Sequence, residues 1–366
     1  MRILFYIDCM GVGGAQRVMK NLIEKFANDG DQVILITDYV PTDGKKEYEI
    51  PSSVKRISLN EYCKSKEKPS NIERVLTLRK ILISEKPEVA VSFMCPPNYR
   101  MLIGSMGLKH KVLVSARNDP KVEYGTGFRK LIANILFRFA DGVVFQTEEA
   151  SAYFVKNIRK KSKIIYNPVD PIFFQKKWKN SSHEIVAIGR LQPQKNPELL
   201  LDAFIRIADK FPDYSLGYYG DGELKDRLKT LAEQNGLADR VHFYGISRDV
   251  PAVLENNAKL YVLSSDFEGL PNALMEAMTV GVPIISTDCP CGGPRSLIQN
   301  PAQGELVPCG NADKLASALC DLLSNHERQK LMSICERERA NLFYPAVIFE
   351  EWKEFFNEVL FDKNHF

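Results

Sequence analysis

Residues 266–279 read Asp266-Phe267-Glu268-Gly269-Leu270-Pro271-Asn272-Ala273-Leu274-Met275-Glu276-Ala277-Met278-Thr279. The apolar run just before them, residues 260–265, predicts a buried strand, and residues 282–287 predict another. Between the two strands a glycine and a proline open a helix. Pro271 suits the first helical position, where a missing N–H costs no bond. The free amides and positive dipole end of that helix then lie beside Glu268, a place suited to a diphosphate. Asn272 and Glu276 fall on one helix face, about 6 Å apart along the axis at roughly 1.5 Å per residue. A spaced pair of carboxylates carries little weight alone, because surface acids are common. The order strand, turn, helix, strand supplies the weight.

The chain of 366 residues has room for about two domains at roughly 150 residues each. With 45% hydrophobic and 26% charged residues it is ordinary globular material, not a disordered or fibrous chain. The eight cysteines contain no C-x2-C pair, and Cys289-Pro290-Cys291 is too tight for a zinc half-site. Free thiols in a reducing compartment are the expectation. Residues 3–7 are apolar but stop at Asp8, which reads as a strand rather than a leader. No run reaches the roughly 18 apolar residues that a membrane span needs. Net charge is +3, unevenly spread. Residues 1–170 hold 28 Lys+Arg against 19 Asp+Glu (+9) and the remainder 21 against 27 (−6). That asymmetry suggests an anionic surface or ligand for the first half, with solvated charge as the plain alternative.

Taken in order, residues 2–8 predict a strand that runs into Gly11-Val12-Gly13-Gly14 and a helix with apolar positions Val18, Leu22, Ile23 and Phe26. This opening belongs to a nucleotide-type α/β domain but is not the dinucleotide fingerprint, because Gln16 stands at the third glycine position. Asp29-Gly30-Asp31 spells D-x-D between the first helix and the next strand, where turn chemistry accounts for it. The strand at residues 111–116 ends in Arg117-Asn118-Asp119-Pro120, and the end of such a strand is where open α/β sheets place ligand contacts. Residues 128–140 carry apolar side chains at 131, 132, 135, 136 and 139, a helical stripe that core packing explains. Phe137 falls off that stripe and Arg129 and Lys130 precede it, so partial membrane contact is the second reading. Five positive charges follow in residues 156–163. Asn167-Pro168-Val169-Asp170-Pro171 and the polar residues 176–182 mark the boundary, giving domains 1–171 and 172–348 with a final helical segment 349–366.

The second half repeats the alternation. A strand at 184–189 leads into Arg190-Leu191-Gln192-Pro193-Gln194-Lys195-Asn196-Pro197, with Asn196 as an N-cap and Pro197 the first helical residue. An Arg and a Lys at a strand-to-helix turn suit a diphosphate, the first as a planar fork and the second as a point charge.

Gly13-Gly14-Ala15-Gln16-Arg17, Gly189-Arg190 through Lys195 and Glu268 through Glu276 together resemble the retaining nucleotide-sugar glycosyltransferases of glycosyltransferase family 4, especially those building bacterial surface glycans. The resemblance covers essentially the whole chain. It implies the GT-B fold: α/β, two facing Rossmann-like domains with a cleft between them and a C-terminal helix crossing back to the first. It implies metal-independent transfer of a sugar from a UDP-sugar, with UDP-N-acetylhexosamine one candidate, to a lipid-linked glycan at the inner membrane face. Arg190 and Lys195 would neutralise the leaving diphosphate, Glu268 would position the donor sugar, and Glu276 would hold the ribose. Gly13, Gly14, Gly189, Gly245, Gly269, Leu270, Pro271 and Asn272 complete the expected donor site, and Arg117, Asn118 and Asp119 the acceptor side. Neither a metal nor another cofactor is expected, nor a nucleic-acid partner. An anionic membrane surface is expected at the basic first domain. A same-fold nucleotide-sugar epimerase, which needs no separate acceptor, is the rival enzyme, and Gln16, where the family has Glu, leaves open a non-catalytic nucleotide-sugar-binding subunit.

Overall fold

The computed structural model describes residues 1–11, 13–41 and 47–361. Val12 of the glycine-rich stretch and the last residues of the 349–366 segment therefore lie outside the described residues. Two compact units emerge: residues 1–168 with 346–366, and residues 169–345. The boundary falls at Pro168–Val169, slightly ahead of the 171/172 boundary read from the prolines, and the returning segment likewise starts at Ala346 rather than 349.

The first unit holds a parallel sheet of seven strands: β1 (Arg2–Ile7), β2 (Gln32–Thr37), β3 (Lys55–Ser58), β4 (Val89–Phe93), β5 (Lys111–Ser115), β6 (Gly142–Phe145) and β7 (Ser162–Ile164), in the order β3-β2-β1-β4-β5-β6-β7. The central strands are buried, β1 from Ile3 onward and β4 along its whole length, as a sheet covered on both faces requires. One face packs on the helices Gly14–Asn28 and Pro345–Phe361. Phe26 stacks on Phe356 at 5.0 Å and meets Phe349 at 4.8 Å, and Trp352 lies against Phe93. A Cβ on Gly142 would stand 2.8 Å from Phe355, so a glycine there lets the last helix seat on β6. The connections running the other way place the helices Asn71–Glu85, Cys95–Ser105 and Phe128–Leu136 on the opposite face, as right-handed crossovers dictate.

The second unit holds β8 (Glu184–Ile188), β9 (Ser215–Tyr219), β10 (Val241–Phe243), β11 (Ala258–Leu263), β12 (Ile284–Thr287) and β13 (Glu305–Val307), all parallel, in the order β10-β9-β8-β11-β12-β13. Its core gathers Leu200, Phe204, Leu216, Leu228, Leu260, Leu315 and Leu319. Each sheet changes direction once, between β1 and β4 and between β8 and β11. Open α/β sheets bind ligands at such switch points, beyond the strand C-termini. Both units thus have the doubly wound form that the GT-B resemblance implies.

The helix Phe128–Leu136 reverses one expectation. Its stripe faces solvent, with Leu131 53%, Ile132 36%, Ile135 46% and the following Phe139 54% exposed. Phe137, off the stripe, is the buried residue, stacked on Phe154 at 4.5 Å and set edge-on to Tyr124. The small Ala133 and the hydrogen-bonded Asn134 face inward instead, which lets this helix lie close to the layer beneath.

The basic run is also partly internal. Lys161 is buried and donates to the carbonyls of Arg138 and Ala140, and burial lowers its pKa. Lys163 pairs with Glu354 and Glu358. Only Lys156, Arg159 and Lys160 remain as exposed charge there. Asp29 and Asp31 have structural partners: the first pairs with Lys25 and Lys353, the second with the N-terminal ammonium.

Candidate active site

Of the expected donor residues, Gly189, Arg190, Lys195 and the Glu268–Glu276 stretch lie at the switch point of the second unit, whereas Gly245 lies at the sheet edge and Gly13 and Gly14 belong to the first unit. After β8 the chain turns through Gly189 and Arg190, makes a short 3-10 turn at Pro193–Lys195, and reaches Asn196 in the left-handed region at φ 42°. Asn196 caps the helix Pro197–Ile207 by accepting from Leu199 N at 3.1 Å, while its amide donates to Asp266 at 2.9 Å. The same side chain therefore ends one loop and ties it to the other. Asp266 N donates back to Gln194 O, Gln194 Nε2 to Phe267 O, and Ser264 Oγ to Lys195 O.

Within that frame Lys195 Nζ lies 2.5 Å from Glu268 Oε1, which also accepts from Ser265 Oγ at 2.7 Å. Glu268 is buried, and Oε2 takes no hydrogen bond among the described residues. Arg190 is exposed, reaches only Gln194 at 3.4 Å, and has no carboxylate partner among the described residues. A small hollow of about 20 Å³ bounded by Gly189, Arg190, Lys195, Leu263 and Ser265 marks the gap between the ends of β8 and β11.

The helix beyond Glu268 spans Asn272–Val280. Pro271 is its N-cap rather than its first residue, because Pro271 keeps an extended ψ of 106°. Glu276 is buried on this helix. The buried Tyr261 of β11 feels both acids: burial pushes its phenol well up, and Glu268 and Glu276 push it further. Both carboxylates therefore lie near the same β11 side chain.

Three glycines outside the expected set shape the site. A Cβ on Gly220 would come 1.8 Å from Gly189 O, one on Gly222 2.4 Å from Leu191 O, and one on Gly293 1.8 Å from Gly269 O. The loops after β9 and β12 thus press against the two site loops. Gly220 follows β9 directly and Gly293 opens the helix Gly293–Leu297, but the contacts of all three are long-range and no local pattern shows them. Gly245 follows β10 at the sheet edge with φ 71°. Leu270 is buried beside the helix start.

In the first unit, Gly13 caps the helix Gly14–Asn28 without a side-chain bond, and Gln16 folds back over it, its Oε1 2.3 Å from where a Cβ would be. Gln16 Nε2 sits 3.5 Å from the carboxylate of Asp8, whose pKa is raised first by burial. A glutamate there would set two carboxylates together, a physical reason for Gln at this position.

The acceptor-side cluster turns inward instead of lining a surface. Arg117 is buried, donates to Asn167 and Ser115, and stacks over Phe93 at 4.7 Å. Burial lowers its pKa to about 9. Asp119 caps the short helix Pro120–Glu123 through Lys121 N, and Asn118 accepts from Asp119 N. Most polar groups at this strand end therefore bond one another, although the buried Arg117 Nε has no hydrogen-bond partner among the described residues.

Glu123, which no pattern singled out, lies beneath them. Its stem reaches the surface, but both carboxylate oxygens are inaccessible and take no well-aligned bond. Burial raises its pKa to about 7, against which the amides of Cys95, Arg117 and Asn118 and the Arg117 charge pull back. A raised acid pKa favours the fold fully below its ordinary value of 4.5, and that advantage is lost as pH rises through about 7. Glu123→Gln therefore gains on the wild type by about 3 kcal/mol between pH 4 and 8, at 1.36 kcal/mol per pH unit. Denaturant melts at both ends of that range check it. A constant gap would place the ionised form in a solvated site.

A family model described as glycosyl transferases group 1 matches residues 169–339, and one described as glycosyltransferase family 4 matches residues 12–173. The chain is 26% identical over 371 residues to the GalNAc-alpha-(1->4)-GalNAc-alpha-(1->3)-diNAcBac-PP-undecaprenol alpha-1,4-N-acetyl-D-galactosaminyltransferase of Campylobacter jejuni, covering 98% of this chain and 99% of that one. With the UDP-Gal:alpha-D-GlcNAc-diphosphoundecaprenol alpha-1,3-galactosyltransferase of Escherichia coli it shares 28% identity over 188 residues, 50% of this chain and 48% of that one. The apo lipopolysaccharide outer core galactosyltransferase WaaB superposes with a TM-score of 0.75 at 20% identity, covering 99% of this chain and 100% of that one, a likeness of fold. The two family models meet at the unit boundary, and the two doubly wound units they cover make this chain a family 4-like glycosyltransferase of the GT-B fold.

Proposed function

We propose that this glycosyltransferase moves a hexosyl or N-acetylhexosaminyl group from a UDP-sugar to a lipid-linked glycan acceptor, with retention and without a metal. The observation that carries the reading is the switch-point cluster of the second unit. There the guanidinium of Arg190, without a carboxylate partner among the described residues, stands with the Lys195–Glu268–Ser265 group near a helix N-terminus. Developing negative charge on a leaving diphosphate is what such fixed donors stabilise. Glu268 holds Lys195 in place and offers Oε2 to the donor sugar, while Glu276 accepts from the ribose. Attack comes from the front face with help from the departing phosphate, so no protein nucleophile is assigned.

The acceptor class draws support from the Campylobacter jejuni and Escherichia coli relatives, whose names specify undecaprenol-linked glycans, and the donor nucleotide from the latter's UDP-Gal. The test is a UDP-sugar panel with and without undecaprenyl-diphosphate-linked glycans. Release of UDP that needs the acceptor is expected. Release without acceptor, together with an altered free sugar, would mark an epimerase, and no release at all a binding subunit.

Turnover is expected to survive EDTA, because Arg190 and Lys195 supply the charge. Loss on chelation with recovery in Mg²⁺ or Mn²⁺ would hand that task to a metal.

Membrane contact is assigned to the outward stripe of Phe128–Leu136, ringed by the exposed Arg129, Lys130 and Arg138, in place of the partly internal 156–163 run. No helix among the described residues is long and apolar enough to cross a membrane. Anionic vesicles should retain the protein at low salt, at roughly 1 kcal/mol per well-placed cation, and release it as salt rises. Leu131→Gln with Ile135→Gln should abolish cosedimentation. Retention unchanged in that variant would place the contact elsewhere.

A further inference from the structure

One apolar feature of the first unit is concave and separate from the outward stripe. The helices Asn71–Glu85 and Cys95–Ser105 pack along each other but leave a groove of about 480 Å³ between them. Ile72, Val75 and Leu76 form one wall, and Pro96, Tyr99 and Ile103 the other. Ile72 is 74% and Leu76 56% exposed, so branched side chains stand open to water where a helix pair would ordinarily close.

The polar groups that touch this groove are already engaged, the Tyr99 phenol and the Cys95 thiol with each other. Arg100 forms an ion pair with Asp38 at 2.5 Å, donates to Tyr6 at 3.1 Å, and donates to Asn71 at 2.7 Å. A sugar, a nucleotide or an extended peptide would bring donors and acceptors that nothing in the groove meets. The groove suits a ligand without directional needs.

A cation stands at its lip. Arg129 lies against Gly125 and close enough to the Cys95 thiol and the Tyr99 phenol to oppose the rise of both pKa values. It is exposed, with no carboxylate partner among the described residues. An apolar trough with an exposed guanidinium close by, without a carboxylate partner among the described residues, is complementary to an amphiphile with an anionic head and a hydrocarbon tail.

We infer that this groove seats the first isoprene units of an isoprenoid-diphosphate acceptor, with Arg129 on its diphosphate. This rests on the lipid-linked acceptor proposed above and deepens it. The convex stripe of Phe128–Leu136 has the shape for a bilayer, whereas the trough has the shape for a single chain. The two helices that form it read the acceptor's lipid, while its sugar is read elsewhere.

The test is calorimetric titration of the intact protein with geranylgeranyl diphosphate, below its micelle concentration and without donor. Saturable binding of about one equivalent is expected. Dimethylallyl diphosphate, which keeps the head and one isoprene unit, should bind at least about tenfold more weakly, as should the long diphosphate to Leu76→Asp or Ile103→Ser. Tenfold is the worth of roughly two buried methylenes. Arg129→Ala should weaken both diphosphates alike. UDP titrated into each variant reports an intact second unit, and far-UV circular dichroism with a thermal melt reports the first.

Equal affinity for the long and short diphosphates overturns the inference, as does wild-type affinity in two folded groove variants. Binding to anionic vesicles with none to the soluble diphosphate also overturns it, by giving this face to the bilayer. Wild-type protein that binds geranylgeranyl diphosphate but not UDP would sink the transferase reading and leave the groove standing.

Discussion

Arg190→Ala lowers turnover by about 10²–10³-fold, the scale for losing one fixed donor at a site of developing charge. The expectation follows from the environment of this guanidinium. It leaves the end of β8 exposed, reaches only Gln194 at 3.4 Å among the described residues, and so enters the reaction with its charge unspent. Lys195 differs, since Glu268 already neutralises it at 2.5 Å. The Arg190 substitution should therefore cost more than Lys195→Ala. It should fall on kcat more than on KM, because charge on the diphosphate grows only as the glycosidic bond breaks. Arg190→Lys should recover part of the loss, since a point charge remains while the planar fork is gone. The measurement is UDP release at saturating donor for the three variants. Turnover within about threefold of wild type in Arg190→Ala would show that the leaving charge is met by other groups.

Glu276→Ala weakens UDP binding about 10–100-fold, through loss of charge-assisted bonds worth roughly 1.5–3 kcal/mol. UDP and UDP-sugar should suffer alike, because the ribose is common to both. Glu268→Gln behaves differently. Its carboxylate sits between Lys195 and Ser265, so the amide keeps a similar shape and releases the Lys195 charge toward the diphosphate. UDP affinity should stay within about threefold while turnover drops, the pattern of an interaction made only in the transition state. Titration of UDP into both variants, beside their kinetics, separates the roles. Equal loss of UDP affinity in the two would merge them into one nucleotide-binding function, and no loss in either would move the nucleotide away from this helix.

Much of this site was legible from residue order because local rules govern it. Asn196 followed by Pro197 is a helix start by capping and φ restriction alone, and the structure places the helix there. The Gly-Leu-Pro turn between two apolar runs likewise predicts the strand-helix-strand around Glu268 and Glu276, with only the role of Pro271 displaced by one position. Alternating strands and helices predict an α/β domain with a parallel sheet in each half, since parallel strands need crossover helices, and the resemblance adds the two Rossmann-like domains.

What residue order left open depends on contacts between distant positions. The Lys195–Glu268 pair and the three close-approach glycines arise where loops separated by tens of residues meet at one sheet edge. Arg117 looked like a ligand contact because a strand end is polar ground, yet Asn167 and the Phe93 ring draw it inside. Glu123 lacked any pattern, and its raised pKa comes from burial that only packing creates. Periodicity predicts that residues 131, 132, 135 and 136 share a helix face, but not which way the face points. Phe137, Ala133 and Asn134 settle that in the folded unit, because a small inward face and one buried ring fill the space beneath the helix. Local preference thus set the elements and the chemistry at their ends, whereas packing decided which charges were spent and which apolar faces stayed open.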